Sequence, residues 1–196
     1  MEFGWDSICA VAVLIIAGIV GFLYYVGYFF KVKISAGHSV ISEVKVAYKF
    51  HQGNYDSCGP FFNEIVKLYP NKRCMGIYYD NPEVIDPNKC RYIVGVIIAE
   101  GVGQVPEKTV VENLQSRGFK IITFPKVENS VKTTHPFTLT ISAYFAGWKA
   151  YPALMKYIKD QGLTAHPFLE IYFDRTIHYM VPLSKHDEFY VEEMEG

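Results

Sequence analysis

A glutamate and a tyrosine near the end of the chain have the spacing of a candidate binding site. Glu170 precedes Tyr172 by two residues in the alternating segment Leu169–Tyr172 (LEIY), so both side chains are expected on one face of a sheet. A carboxylate buried among aromatic rings is unfavourable unless a cation or a hydrogen-bond donor meets it. The pair therefore predicts either a cleft for an aromatic cation, held by charge and by cation–π contact, or a structural glutamate bonded to a neighbouring tyrosine or backbone group.

Other aromatic side chains are candidates for the walls of such a cleft. The aromatic content of 16% is high, and many of these residues fall in strand-like segments. The alternative for each of them is a place in the hydrophobic core. The candidate ligand-binding residues are Glu170, Tyr172, Tyr48, Tyr78, Tyr144 and Trp148, with Phe145 beside them.

The signals of several other chemistries are missing from the sequence. The histidines have neither an i, i+4 pair nor an HExxH pattern, and no glycine-rich phosphate loop or serine or cysteine nucleophile motif occurs. The net charge of −1 is distributed without a basic stripe, which argues against direct nucleic-acid binding. We therefore expect no catalytic residue, no metal ligand and no cofactor, and we do not expect an enzyme.

The segments that carry these side chains repeat one pattern of strand, helix, strand and strand. The first unit is predicted as the strand Glu43–Phe50, the helix Cys58–Tyr69 and the strands Cys74–Tyr79 and Arg91–Ala99, followed by the helix Glu107–Arg117 and the strand Phe119–Phe124. The second is predicted as the strand Lys126–Pro136, the helix Leu139–Gln161 and a hairpin of Phe168–Phe173 and Ile177–Leu183.

The two units also resemble each other in letters, since GIYYDNP (Gly76–Pro82) occupies the place of EIYFDRT (Glu170–Thr176). We expect an α+β fold in which duplicated β-α-β-β units form one antiparallel sheet, with the helices on one face and the other face free. A cleft is expected at the seam between the two halves.

The amino-terminal part of the chain has no charged side chain from Ser7 to Phe30. About 20 apolar residues in a helix cross the hydrocarbon core of a bilayer, and aromatic residues suit its interface. A cleaved signal peptide would have a basic start and a shorter apolar region. We predict an uncleaved single transmembrane helix, represented by Ser7, Ile8, Leu14, Ile15, Ile16, Ile19, Leu23 and Phe30.

The flanking charges predict the orientation of this helix. Glu2 and Asp6 precede it and Lys31 and Lys33 follow it, and an excess of lysine marks the cytoplasmic end. The cysteines beyond the helix form no CxxC pair, as expected of reduced cytosolic thiols. The predicted parts are a lumenal amino terminus (1–6), the transmembrane helix (7–30), a juxtamembrane linker (31–42), a cytosolic domain (43–190) and a carboxy-terminal end (191–196).

Several motifs place the chain near a known family. They are VAYKFH at Val46–His51, YYDNP ending at Pro82, KCR at Lys89–Arg91, GFK at Gly118–Lys120, and then HPFLEIY, IHYMVPL and DEFYVEEM in order. From the anchor to Met194 the chain resembles the testis-expressed reticulophagy receptor family and, more widely, the gyrase-inhibitor-like (GyrI-like, SOUL-related) ligand-binding fold. The resemblance implies a single-pass protein of the endoplasmic reticulum membrane with a cytosolic GyrI-like domain.

The resemblance implies three functions. The first is an adaptor that delivers reticulum fragments to autophagosomes, with the lipid bilayer as a partner and, if a carboxy-terminal tail exists, autophagosomal ubiquitin-like proteins as well. The second is recruitment of an AAA ATPase and a protease for DNA–protein crosslink repair at the nuclear envelope. The third is a sensor of lipophilic cations, or a hydrolase of small electrophiles, that uses Glu170. Family members dock on autophagosomes through an aromatic-x-x-aliphatic motif in an acidic tail, and Phe189–Glu193 contains no such motif.

Overall fold

The structure is a computed structural model that describes residues 4–194, apart from the side chain of Asp6. The helices are α1 (Trp5–Tyr25), α2 (Gly59–Leu68), α3 (Lys108–Ser116) and α4 (Thr140–Asp160). The strands are β1 (Ser35–His38), β2 (Val44–Gln52), β3 (Cys74–Tyr78), β4 (Arg91–Glu100), β5 (Lys120–Phe124), β6 (Asn129–Pro136), β7 (Phe168–Phe173) and β8 (Thr176–Pro182). From β2 onward the elements follow the predicted order.

The strands form one 8-stranded sheet in the order β1-β6-β8-β7-β3-β4-β2-β5. Every pairing between neighbours is antiparallel. The first unit, β2-α2-β3-β4, meets the second, β6-α4-β7-β8, where β3 pairs with β7. The predicted α+β fold with two units in one antiparallel sheet is confirmed, and Glu170 of β7 lies at the seam between them.

The helices pack on one face of the sheet through narrow apolar stripes. In α2, Pro60 stands in the first turn, where its missing N–H costs no hydrogen bond, and Ile65 is buried. In α4, the buried stripe is Ser142, Ala146, Ala150 and Leu154, and the small side chains of its two alanines let the helix approach the apolar residues of β6 and β8 closely. The stripe determines which other residues of α4 can reach the sheet.

The opposite face of the sheet was predicted to be free, and this prediction is wrong. Both faces of β3 and most of β4 are buried, so the second face needs a cover of its own. Ile41, Val127, Phe189 and Val191 supply it from the segments before β2, after β5 and after β8. The ring of Phe189 stacks on Phe124 with 5.6 Å between the centroids. The sheet is therefore the middle layer of the domain.

The stretch 31–42, predicted as a linker, contains the edge strand β1. Residues Ser35–His38 pair with 129–132 of β6, from Ser35 opposite Lys132 to His38 opposite Asn129. The segment Ser-Ala-Gly-His has no alternating apolar pattern, so its strand conformation comes from pairing with β6 rather than from local preference. The domain therefore begins closer to α1 than predicted.

Helix α1 is apolar and long enough to cross a membrane over Ser7–Tyr25, and none of this stretch is buried in the protein. It ends at Tyr25, before the predicted end at Phe30. Gly27 has a φ of +81°, and the N–H groups of Gly27 and Tyr28 donate to the carbonyls of Tyr24 and Leu23. This glycine-based cap terminates the helix, because a residue with a side chain rarely adopts such a φ.

Candidate functional site

Glu170 occupies the centre of the sheet and points toward the helices. Along the sheet it lies between Gly76 of β3 and Tyr179 of β8. Only 6% of the residue is exposed, although Glu is rarely buried without a partner. Its carboxylate therefore has to be satisfied by groups within the domain.

Tyrosine hydroxyls satisfy the Glu170 carboxylate. Tyr172 and Tyr78 donate to its Oε2 over 2.7 and 3.0 Å, and Tyr151 donates to its Oε1 over 2.9 Å. The hydroxyl of Tyr179 also faces the carboxylate and helps to lower its pKa, but among the described residues it has no partner within ordinary hydrogen-bond distance and angle. We call Glu170 with these four tyrosines the Glu170 cluster.

The electrostatics of the Glu170 cluster are those of a buried acid without a cation. Burial raises the pKa of the Glu170 carboxyl, and the tyrosine hydroxyls oppose this rise by bonding to the charged form. Burial and the nearby carboxylate raise the pKa of Tyr78, Tyr151 and Tyr172 well above the usual range. These hydroxyls therefore stay protonated and act as donors at physiological pH.

Local features of the chain bring these groups together. The two-residue turn of Asp174 and Arg175, both with positive φ, sets the hairpin register that places Glu170 opposite Tyr179. Gly76 faces Glu170 from β3, and a Cβ there would stand 3.0 Å from the Tyr78 hydroxyl oxygen. The absence of a side chain at Gly76 leaves the space in which Tyr78 reaches the carboxylate.

The structure brings two of the predicted wall residues to Glu170 and keeps three away. Tyr78 and Tyr172 belong to the cluster. Tyr48 lies on the opposite face, where its hydroxyl donates to Oε2 of Glu193 over 3.1 Å, so its predicted place at the site is wrong. Tyr144 and Trp148 are wrong as well, because they lie on the outer surface of α4 with 68% and 64% of each residue exposed.

Two members of the cluster, Tyr151 and Tyr179, are not among the residues predicted from the sequence. The turn at Asp174 and Arg175 could have revealed Tyr179, because a two-residue hairpin loop fixes which residues stand opposite each other. The stripe of Ala146, Ala150 and Leu154 could have revealed Tyr151, since it marks the buried side of α4.

The Glu170 cluster supports few reactions, because its carboxylate is already hydrogen-bonded by tyrosines. Its carboxylate can accept hydrogen bonds, take up a proton or pair with a cation that displaces a tyrosine. Cys58 lies beside it, with Sγ 3.8 Å from the Tyr78 hydroxyl, but burial raises the pKa of this thiol to about 11. A protonated thiol is a poor nucleophile. The geometry of the Glu170 cluster therefore suits binding of a cation or attachment of the two β-α-β-β units to each other, rather than catalysis.

A second polar and aromatic contact region lies where α1 meets the domain. Backbone carbonyls of the segment 25–30 receive donors from the start of the second unit: Thr138 Oγ1 donates to Tyr25 over 2.8 Å, and Lys149 Nζ to Phe30 over 3.1 Å and also to Tyr28. Nε2 of the buried His135 lies 3.1 Å from the carbonyl oxygen of Gly27. We call 25–30 and these three side chains the anchor joint.

The anchor joint means that the end of α1 is part of the domain's packing. Val26 and Gly27 are buried, and the ring of Phe30, predicted as part of the membrane anchor, stands edge-on to His135. The last carbonyls of a helix lack partners within that helix, and the domain supplies them here. Rotation of the helix against the domain would therefore cost these hydrogen bonds.

Comparison with known proteins gives a sequence relationship and a weaker structural one. No protein-family model matches the chain. It is 40% identical over 181 residues to testis-expressed protein 264 of Homo sapiens, covering 92% of this chain and 58% of that protein. It is 42% identical over 173 residues to the Mus musculus homologue, covering 88% of this chain and 56% of that protein. The chain thus spans little more than half the length of these relatives.

Among solved structures, the chain is similar to the EcmrR protein in a cryo-EM structure of an EcmrR–DNA complex. The TM-score is 0.50 and the identity 17%, over 79% of this chain and 58% of that one. A hydrolase from Listeria innocua has a TM-score of 0.45 and 10% identity over 79% of this chain and 92% of that one. The likeness to EcmrR concerns the fold alone. By sequence, the chain is a homologue of testis-expressed protein 264 over about nine-tenths of its own length.

Proposed function

We propose that the chain is a single-pass adaptor of the endoplasmic reticulum membrane that acts in reticulophagy through a cytosolic domain. The observation that carries the proposal is the exposed apolar helix Ser7–Tyr25, whose end is built into the domain by the anchor joint. A helix with no polar face is unstable in water and stable in lipid. The resemblance to the testis-expressed reticulophagy receptor family supports the choice of this membrane and of this process.

The proposed orientation has the domain in the cytosol. It is supported by Lys31 and Lys33, which follow the helix, and by the acidic residues before it, Glu2 in the undescribed segment and Asp6. Among the described residues, Cys9, Cys58, Cys74 and Cys90 form no disulfide. Reduced thiols are expected in the cytosol.

The proposed role of the domain is to present protein-binding surfaces rather than to catalyse a reaction. The Glu170 cluster is sealed, its tyrosines are protonated, and its carboxylate is already bonded. The proposed partners are autophagosomal ubiquitin-like proteins, which the exposed surface of the domain contacts directly or through a further protein, because Phe189–Glu193 contains no aromatic-x-x-aliphatic motif.

The test uses starved mammalian cells that carry a lumenal reticulum reporter with one acid-sensitive and one acid-stable fluorophore. Expression of the chain should raise delivery of the reporter to acidic compartments. A variant with Ser7–Tyr25 replaced by an equally long leucine–alanine helix serves as the matched control and should retain the effect, because it keeps the anchor. Deletion of the helix should abolish the effect. Unchanged delivery with a chain that reaches the reticulum would overturn the proposal.

Proximity labelling from the same cells separates the two adaptor functions. Enrichment of autophagosomal ubiquitin-like proteins supports reticulophagy. Enrichment of an AAA ATPase and a protease without autophagosomal proteins would replace it with the role in DNA–protein crosslink repair.

A second candidate function, sensing of a lipophilic cation, is favoured by one observation. Glu170 is a buried carboxylate that forms no salt bridge with any described residue, and the Tyr179 hydroxyl beside it is unpartnered. Aromatic rings around a carboxylate suit a delocalised cation. Tetraphenylphosphonium should raise the melting temperature of the detergent-solubilised chain but not of Glu170→Gln. Tyr48→Phe, on the other face, should keep the shift, and no shift in the unmodified chain would contradict this candidate.

A further inference from the structure

The first half of α4 shows an apolar surface that nothing in the described chain covers. Ile141, Tyr144 and Trp148 recur at helical spacing and are exposed, and Leu139 precedes them with 43% of the residue exposed. We call these four residues the aromatic stripe. Isolated exposed apolar residues are ordinary, but a row of them along one helix face marks an interaction surface.

The second half of the same helix has a different surface. Lys156, Lys159 and Asp160 are exposed, and Lys156 pairs with Asp160 over 2.5 Å. The change from apolar to charged residues occurs within one continuous helix. The apolar character of the first half is therefore a local property that belongs to its position in the molecule.

That position is beside the anchor joint. The ring of Phe145, next to Tyr144 in the helix, packs edge-on against Tyr28 with 5.2 Å between the centroids. Thr138, immediately before the stripe, bonds the carbonyl of Tyr25, the last residue of α1. The aromatic stripe thus begins beside the residue at which α1 ends.

Other side chains near the end of α1 are also exposed and aromatic or basic. Tyr24 and Phe29 are exposed aromatic residues at the end of α1, and their rings contact each other with 4.7 Å between the centroids. Nη2 of Arg175, in the β7–β8 turn, lies 3.5 Å from the Tyr25 hydroxyl. Exposed tyrosine, tryptophan and arginine together are typical of the zone where lipid headgroups meet hydrocarbon.

On the basis of the proposed membrane anchor, we propose that the aromatic stripe of α4 lies in the headgroup layer of the bilayer and seats the domain against the membrane. The occupant is lipid rather than a protein because α1 holds the stripe next to the bilayer that contains the helix. Tryptophan and tyrosine gain most at this depth, where the ring is in an apolar environment and the N–H or O–H group stays hydrated. The seat limits rotation of the domain about the anchor.

The test exploits the two tryptophans of the chain, Trp5 at the start of α1 and Trp148 in the stripe. The full chain is reconstituted into phosphatidylcholine vesicles whose lipids carry bromine, a fluorescence quencher, either near the headgroup or deep in the acyl chain. Trp148→Phe leaves Trp5 as the only reporter, and it measures insertion of the anchor. Trp5→Phe leaves Trp148, which measures seating of the domain.

The proposal predicts a loss of Trp148 fluorescence comparable with that of Trp5, and a larger loss for shallow bromine than for deep bromine. Adding Tyr144→Ser and Ile141→Ser to Trp5→Phe should reduce the loss at Trp148, whereas Val66→Ser on the exposed side of α2 should leave it unchanged. Quenching of Trp5 without quenching of Trp148 would overturn the inference while leaving the anchor intact. Quenching of neither would overturn both.

Discussion

The Glu170 cluster and the anchor joint both combine polar side chains with aromatic rings, but the two regions orient these groups differently. In the cluster, tyrosine hydroxyls turn inward and satisfy a buried carboxylate. In the joint, polar side chains of the domain satisfy the open carbonyls of a helix end, while aromatic rings nearby turn outward. Aromatic content alone therefore does not locate a binding site, because buried rings stabilise the fold while exposed rings are available for contact.

The largest effect is expected from removing the carboxylate of the cluster. Glu170→Ala leaves three buried hydroxyls without an acceptor, and we expect it to lower the free energy of unfolding by about 4 kcal/mol. Glu193→Ala is the matched control, because Glu193 also accepts a tyrosine hydroxyl but is partly exposed and already pairs with the exposed Lys120, and about 1 kcal/mol or less is expected. Pulse proteolysis in urea, on the full chain in detergent, measures both. Equal losses would mean that the cluster is no more important than a surface contact.

The joint should respond most strongly to a side chain at Gly27. Gly27→Ala forces a positive φ on alanine and places its Cβ 2.6 Å from Cε1 of His135, so the joint should weaken by about 2 kcal/mol. The rate of proteolysis at 26–33 in detergent would then rise by about 30-fold. Gly21→Ala, which meets no atom within 4 Å, should leave that rate unchanged. Unchanged cleavage in Gly27→Ala would show that the close approach of Gly27 to His135 does not hold the anchor joint together.

Within the cluster, the bonded and unbonded hydroxyls should differ. Tyr151→Phe removes a donor to the carboxylate and should cost about 1.5 kcal/mol of unfolding free energy. Tyr179→Phe removes a hydroxyl that has no partner among the described residues and should change the free energy by less than about 0.5 kcal/mol. The same urea experiment compares them, and a larger loss for Tyr179→Phe would reverse the assignment of donors.

The pH dependence of stability should identify the buried acid. Because the folded-state pKa of Glu170 is raised above its ordinary value of 4.5, the folded protein binds the proton more tightly than the unfolded chain, and its stability falls as pH rises from 4.5 through the folded pKa. Glu170→Gln should flatten this fall. Asp80→Asn provides the opposite sign, since Arg91 lowers the pKa of Asp80 and stabilises the fold at pH values above 3.8. Unfolding free energies measured from below pH 3.8 up to pH 8, with those two variants alongside the unmodified chain, cover both slopes, that of Asp80 below pH 3.8 and that of Glu170 above pH 4.5. A fall that persists in Glu170→Gln would have another source.

The smallest effect on stability is expected at the aromatic stripe. Trp148→Ser should change the free energy of unfolding in detergent by less than about 0.5 kcal/mol, because its ring packs against little of the protein. A loss as large as that of Tyr151→Phe would assign Trp148 to the core and remove the basis for seating on lipid.

Much of this architecture follows from local patterns. The alternation in LEIY places Glu170 and Tyr172 on one face, and the repeated strand-helix-strand-strand order predicts the sheet and its seam. The apolar run predicts α1 in the same way, except that the Gly27 cap ends the helix before Phe30.

The wrong predictions concern residues whose positions depend on contacts between segments that are distant in the sequence. Tyr48 is separated from β7 by β4 and β3, so its face depends on the relative registers of four strands, which no local pattern contains. The rotation of α4 decides between Tyr151 and Trp148, and it depends on packing of the alanine stripe against β6 and β8. Strand β1 forms because β6 offers an open edge.

The most direct test of the membrane account uses microsomes that contain the full chain with a carboxy-terminal tag. Alkaline carbonate should leave the chain in the membrane pellet, and protease added outside intact vesicles should digest the domain while a fragment containing Trp5–Tyr25 stays protected. Release of the chain by carbonate, or an intact domain after protease treatment, would contradict the account.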